Sequence, residues 1–474
     1  MIFSTPVFFL FFAIYFGLHF LVPRRHRLGL IIAGSTIFYA WWKLEYLWLP
    51  FGLMAIAYLG GRWIDGSADE TVRWRHTALA IILLLLPLAI FKYTDFIYRD
   101  VVGPFFGIQD GLLNVPLPLG ISFISFTLVA YLVDIYREAF SPKHRPEMVL
   151  AYVLYFPHLI AGPILRPNEL IPQLEQPRPA ALHGFTAALA IFTLGLVKKL
   201  VFADQLAPMV AATYAQDVTI SAAAAWLAII GFTVQVYCDF SGYTDMAIGL
   251  AAMLGTRLPL NFNRPFIATS ISNLWQRWHM TLTRCLGDYV YLPLSMQLAR
   301  YAVRRRLGKW PMFLFAVVIP VNITFLVSGV WHGAGWNFIV FGVFTGIAMT
   351  VEFSWRRAGM PNLPGLIAWL LTMTAFLISL SFFRARTPGK AVDMMVASVS
   401  GSWSGIEPFL AQNIFPVLLI IVFAAFHRFD DHRLVRLAVR RARPELVWAT
   451  MMFGWITAIA VSQGNSGAFV YFDF

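Results

Sequence analysis

A single histidine, His332, sits in the stretch Ser328-Gly329-Val330-Trp331-His332-Gly333-Ala334-Gly335-Trp336-Asn337, where two long apolar segments meet. An ionisable side chain at membrane depth is costly without partners or a water-filled cavity, so it marks a functional site by default. Histidine exchanges protons near neutral pH, which suits it to removing a proton from a hydroxyl nucleophile. Ser328 lies one turn earlier, where its hydroxyl would orient the imidazole or donate a hydrogen bond. Gly333 and Gly335 would let backbone approach a substrate closely. His279 closes the run Trp275-Gln276-Arg277-Trp278-His279, and His158 precedes Ala161-Gly162-Pro163. Asp239 and Asp245 lie in an apolar stretch with Tyr237 and Tyr243, where a buried carboxylate must be paired or neutralised. They read either as groups lining a passage or positioning His279, or as structural hydrogen-bonding groups.

Such residues need helices to hold them. Hydrophobic residues make up 59% of the 474 and charged residues 13%, and the mean hydropathy is +0.69, a composition foreign to soluble globular domains. A run of about 20 apolar residues spans a bilayer, and about a dozen candidates are present, some broken by Pro or Gly. Spans are expected near 2–22, 28–42, 46–61, 77–98, 116–136, 182–203, 221–253, 312–331, 336–355, 363–383, 409–427 and 446–462. The expected fold is an all-α polytopic membrane protein, one domain over 1–474, with no internal repeat and no polar linker longer than about 20 residues to mark a second domain. The first span has no basic residue before it and no small-residue cleavage site after it, so it reads as a retained helix. Its basic flank, Arg24-Arg25-His26-Arg27, and the basic clusters at 62–75, 137–145, 300–309, 356–357 and 428–443 alternate with the spans. By the positive-inside rule these clusters are cytoplasmic and both termini are outside. The net charge of +12 is then topology, and nucleic acid is not an expected partner.

Two stretches do not read as simple spans. Residues 149–163 are apolar, lie between basic stretches and end in Gly162-Pro163, which predicts a re-entrant hairpin; broken backbone at that depth must be buried in protein or line a cavity. Residues 257–293 alternate aromatic, basic and polar side chains, which predicts an interfacial segment or one that dips into the protein.

Ordered blocks across residues 90–345 resemble the membrane-bound O-acyltransferase family, in its bacterial branch of alginate- and peptidoglycan-type O-acetylation proteins. They are Pro118-Leu-Gly-Ile-Ser-Phe123, Tyr131-Leu-Val-Asp-Ile-Tyr136, Phe156-Pro-His-Leu-Ile-Ala-Gly-Pro-Ile-Leu-Arg166, Asp239-Phe-Ser-Gly-Tyr-Thr-Asp-Met-Ala-Ile-Gly249, Asn261-Phe-Asn-Arg-Pro265, Trp275-Gln-Arg-Trp-His279 and Ser328-Gly-Val-Trp-His-Gly333. The closing Phe469-Val-Tyr-Phe-Asp-Phe474 resembles the end of alginate-type members. After His279 the chain departs from the family pattern, with Thr281, Cys285 and Gly287 where Ser, Trp and Arg are expected.

The resemblance implies a helical body around a tunnel in a bacterial inner membrane, with a periplasmic N-terminus. In it an acyl thioester enters from the cytoplasm and the acyl group leaves toward the exterior. It implies His332 as the catalytic histidine and His279 as the second characteristic position, with Ser328, Trp331, Asn261, Asp239, Asp245 and His158 supporting them or lining the tunnel. Acetyl-CoA is the implied donor, and Arg264 and Arg277 would meet its phosphates through charge-assisted hydrogen bonds, although positive-inside topology explains these arginines equally well. The implied partners are a periplasmic esterase-like protein of the SGNH type, a polysaccharide acceptor and the bilayer. No metal or redox cofactor is expected: Cys238 and Cys285 lack ligand spacing, and no phosphate-binding Gly-x-x-x-x-Gly-Lys loop or Gly-x-Ser-x-Gly elbow occurs. Two competing readings remain. One is D-alanyl transfer from a carrier protein to teichoic acid. The other is a secondary transporter, which would carry inverted repeats.

Overall fold

The computed structural model describes residues 1–176, 182–215, 220–463 and 466–470. Residues 471–474 of the closing aromatic block lie outside the described residues. Among the described residues the regular structure is helical, without strands.

Helices stand at all twelve expected segments, but among the described residues eight are long and apolar enough to cross a membrane: Leu44–Asp65, Glu70–Phe106, Gly184–Ala215, Ala222–Met253, Lys309–His332, Trp336–Arg357, Gly365–Arg384 and Pro444–Ser462. Ile406–Gln412 and Ile414–Phe429, bent by 78°, make a ninth if counted as one broken span. Helix length explains the shortfall from twelve. Pro6–Leu21 and Ile121–Tyr136 have 16 residues and Arg27–Ala40 has 14, so at 1.5 Å per residue they rise only about 21–24 Å, against a hydrocarbon core of about 30 Å.

The described residues of 1–197, 242–260 and 435–472 form one compact unit, and those of 198–241 and 261–434 form another. In the first, the helices Trp48–Asp65, Glu70–Phe96 and Ile121–Tyr136 pack on one another. Lipid offers no hydrophobic drive for such packing, so small residues that let backbones approach do the work. A methyl added to Gly60 would lie 2.7 Å from the Ala80 side chain, and one added to Gly61 would lie 2.8 Å from Ile135.

The expected break in 149–163 is present in the same unit. The helix Pro146–Leu154 stops at Tyr155, a four-residue helix Phe156–Leu159 follows, and Pro167–Glu175 begins after the turn at Gly162-Pro163. Backbone groups that leave a helix while buried need other partners, and side chains supply them. The Ser35 hydroxyl accepts the Phe156 N–H at 3.1 Å, Tyr152 Oη donates to the Leu165 carbonyl at 2.8 Å, and His158 Nε2 meets the Tyr152 carbonyl at 2.9 Å.

In the second unit, Ile319–His332 and Trp336–Arg357 pack along one another as a tight helical pair. Gly329 faces the Phe338 carbonyl so closely that an added methyl would collide with it, and Gly342 faces the Phe325 carbonyl. His332 ends the first of these helices. The 257–293 stretch, in its part from 261, dips into this unit: Asn261, His279 and Thr281 are all buried.

Candidate active site

The site is assembled from two pieces of irregular chain and the ends of two helices. Residues 261–263 and 277–280 clasp through backbone hydrogen bonds, the Met280 N–H donating to the Asn261 carbonyl at 2.8 Å and the Asn263 N–H to the Arg277 carbonyl at 2.9 Å. The clasp holds His279 with φ +42° and ψ +51°, just before the helix Met280–Leu286. A non-glycine residue held in this left-handed region costs on the order of 1–3 kcal/mol and persists only where its surroundings over-determine it; such residues cluster at active sites.

Those surroundings centre on Asn261 Oδ1. It accepts the Thr281 N–H at 3.2 Å and the Thr281 hydroxyl at 2.9 Å, and it lies 3.1 Å from His279 Nδ1. A backbone N–H can only donate, so the amide atom at the centre is the oxygen. His279 Nδ1 must therefore carry the ring proton toward it, which leaves Nε2 of the neutral ring as an acceptor. The departure from the family pattern at Thr281 keeps the hydroxyl that this arrangement uses. His279 lies outside the membrane-spanning helices, and burial pushes its imidazole down to about 3.

His279 and His332 lie side by side with ring centroids 6.4 Å apart and ring planes inclined at 60°. Trp331 lies against both, at 5.8 Å from His279 and 4.9 Å from His332. Phe240 meets the His279 ring edge-on at 4.6 Å, and Phe341 and Phe383 meet His332 at 5.6 and 5.1 Å. The two imidazoles thus share an aromatic enclosure and are close enough for one substrate oxygen to reach both. Such an enclosure keeps water from competing with a hydrogen-bonded substrate group. Ser328 is buried one turn before His332.

The remaining sequence candidates have partners of their own. Asp239 precedes Phe240 and is ion-paired to Lys199 at 2.7 Å, while Lys199 also reaches Asp204 at 2.7 Å. Lys198 pairs with Asp430 at 2.6 Å, and Tyr237 Oη donates to the same carboxylate oxygen at 2.6 Å. Both lysines sit on a π-helical segment, Lys198–Ala203, a distortion frequent at functional sites. Arg264 contacts Asp431 at 3.2 Å and Asn263 Oδ1 at 3.2 Å; Arg277 donates to Asn273 Oδ1 at 2.9 Å and to the Asn263 carbonyl at 3.2 Å. His158 and Asp245 belong to the first unit, where His158 closes the broken segment. Sequence reasoning did not single out Lys198, Lys199, Asp430 or Phe240. The adjacent lysines carried a readable signal, because they lie in the middle of the apolar run Gly184–Ala215.

The profile of the membrane-bound O-acyltransferase family matches residues 28–375. Over 413 residues the chain is 34% identical to a protein of Azotobacter vinelandii named "Probable alginate O-acetylase", covering 85% of this chain and 79% of that one. It is 31% identical over 435 residues to the peptidoglycan O-acetyltransferase of Helicobacter pylori, covering 84% and 80%. It is 26% identical over 332 residues to the teichoic acid D-alanyltransferase of Streptococcus thermophilus, covering 68% and 71%. With two histidines in one aromatic enclosure and a match over most of its length, the chain belongs to the membrane-bound O-acyltransferase family and is a multi-pass membrane acyltransferase.

Proposed function

We propose that this acyltransferase takes acetyl groups from acetyl-CoA on the cytoplasmic side of a bacterial inner membrane. It passes them through the protein for O-acetylation of an exported polysaccharide of the alginate, cellulose or peptidoglycan type. The observation that carries this reading is the His279–His332 pair, with the tautomer of His279 held by Asn261.

In this reading His332 is the general base. It takes the proton of the acceptor hydroxyl as the oxygen attacks the thioester carbonyl. The carbon–sulfur bond breaks, and the departing coenzyme A sulfur recovers the proton from His332. General-base help of this kind is worth ~10²–10⁴ in rate. His279 presents Nε2 as a hydrogen-bond acceptor, and its lowered basicity suits it to orient the hydroxyl without taking the proton. Ser328 and Trp331 support His332, and Asp239, paired with Lys199, sits next to the ring that abuts His279. Arg264 and Arg277 are the proposed cytoplasmic contacts for the donor's phosphates. A periplasmic SGNH-type protein is the proposed partner that completes transfer to sugar, and the N-terminus is periplasmic.

The similarity to a teichoic acid D-alanyltransferase favours a second reading, transfer of a D-alanyl group from a carrier protein. One experiment separates the two. Radiolabelled acetyl-CoA is supplied to the cytoplasmic side of vesicles carrying wild type or His332→Ala. Label moved to an acceptor or to lumenal water by wild type alone supports the proposal. Equal robust activity in both removes His332 as the base, and inert wild type with its partner present shifts the donor to a carrier-bound acyl group.

A further inference from the structure

The first unit contains a cavity of about 610 Å³ that the acyltransferase reading does not use. At its mouth are the exposed Arg24 and Arg25 and the half-buried Arg27, from the basic run that the positive-inside rule places at the cytoplasmic surface. Among the described residues none of the three is in an ion pair; Arg25 donates only to neighbouring His26, at 3.0 Å. One carboxylate, Glu175, shares the lining and is already engaged by His144 at 2.9 Å. The mouth is therefore cationic. Leu28, Ile31, Met148 and Leu254 make most of the wall apolar.

The lining also holds polar atoms that have no protein partner. Tyr15 and His19, both more than nine-tenths buried, carry Oη and Nδ1 without a hydrogen bond, and the buried Nε of Arg27 is likewise unsatisfied. A buried polar atom without a partner is destabilising, and a bound polar group removes that cost. Close by, Tyr155 and Thr256 share a 2.6 Å hydrogen bond between their hydroxyls. The helix carrying Tyr15 and His19 exposes Leu18 and Leu21 beside the cavity's residues, a surface on which acyl chains can lie.

We propose that this cavity is a binding site for an anionic phospholipid. Its phosphate sits among Arg24, Arg25 and Arg27, its glycerol and ester oxygens face Tyr15 and His19, and its acyl chains run out along the apolar wall. Basic pockets beside membrane helices on the cytoplasmic side take such head groups, and a volume of this size suits the polar end of a lipid. A small phosphate-bearing metabolite would use the arginines but leave the apolar wall unmatched.

The test uses the full-length protein in detergent, with lipid retention read by native mass spectrometry. The thermal unfolding midpoint is titrated with phosphatidylglycerol, phosphatidylcholine or inorganic phosphate. Phosphatidylglycerol is expected to be retained and to raise the midpoint, and the other two to do neither. The double variant Arg24→Gln/Arg27→Gln is expected to weaken retention by about 10-fold or more. Tyr15→Phe, which removes one oxygen and leaves the ring and the arginines in place, is expected to weaken it by a few-fold. Arg304→Gln, at an exposed helix end, is expected to leave it unchanged. Equal retention by wild type, the arginine variant and Tyr15→Phe overturns the proposal, as does an equal loss in Arg304→Gln. Equal protection by inorganic phosphate overturns the lipid assignment in favour of a small-anion site. Lipid retention is read without acyl transfer, so its outcome is separate from that of the acyltransferase mechanism.

Discussion

Replacing Asn261 with alanine tests whether its side-chain oxygen organises the site. The substitution removes the acceptor of the Thr281 N–H, the Thr281 hydroxyl and the His279 Nδ1–H. The hydroxyl can turn elsewhere, but the two N–H groups are stranded in a region where Asn261 and His279 are each 1% exposed. At about 1–3 kcal/mol per stranded donor, the expected loss of stability is about 2–6 kcal/mol, a fall of several degrees in the unfolding midpoint in detergent. His279 also loses the partner that fixes its tautomer. Acetyl transfer should fall by at least about 10-fold, and by no more than the ~10²–10⁴ that full loss of proton-transfer help costs. Thr281→Val removes a single hydroxyl donor and should cost about 1 kcal/mol, while Thr281→Ser, which keeps it, should be close to wild type. The assays are thermal unfolding and label transfer on the same preparations. Unchanged stability and rate in Asn261→Ala, or identical behaviour of the valine and serine variants, would refute the reasoning.

Other consequences are open to measurement. His158 and His279 are both held neutral by burial, with values pushed down to about 4 and about 3. The unfolded chain takes up protons on these groups that the folded chain refuses, so their stability contribution is present above about pH 6.5 and is lost as pH falls toward 4; the unfolding midpoint should drop across that window, and drop less in His158→Gln. Lys199→Met leaves Asp204 and Asp239 facing each other without their cation and should destabilise by about 3–5 kcal/mol, whereas Asp239→Asn, which leaves the Lys199–Asp204 pair, should cost visibly less in the same melt. Gly329→Ala places a methyl against the Phe338 carbonyl and should cost about 1–3 kcal/mol, with a loss of transfer, because it prises apart the helical pair that carries His332.

Local signals made much of this molecule legible. Apolar runs gave helix positions at all twelve segments, yet not how many would cross, because Pro6–Leu21 and Arg27–Ala40 are apolar but short. The break at 155–163 was readable from Gly162-Pro163. His332 stood out as a polar residue where apolar segments meet and His279 as the end of the family-like block Trp275-Gln-Arg-Trp-His279, and the fold brings the two together. The role of Asn261 was not legible: its partners lie 18 and 20 residues away, and only the clasp of two irregular segments brings them to one oxygen. Asp239 was recognised as needing a partner, but which cation would serve depended on a helix forty residues earlier in the chain.

The lysine pair also sets a timetable for synthesis. Lys199 meets Asp204 as soon as its own helix forms, and Asp239 emerges within roughly 2–8 s at about 5–20 residues per second. Lys198 waits for Asp430, more than two hundred residues later, which at the same rate is roughly 10–50 s. A lysine at a helix centre costs about 2.5–3.5 kcal/mol to insert, and the span from Lys198 to Asp430 is about half of the chain's own production. Until the C-terminal part arrives, the half-made protein holds Lys198 in an apolar segment without the carboxylate of Asp430.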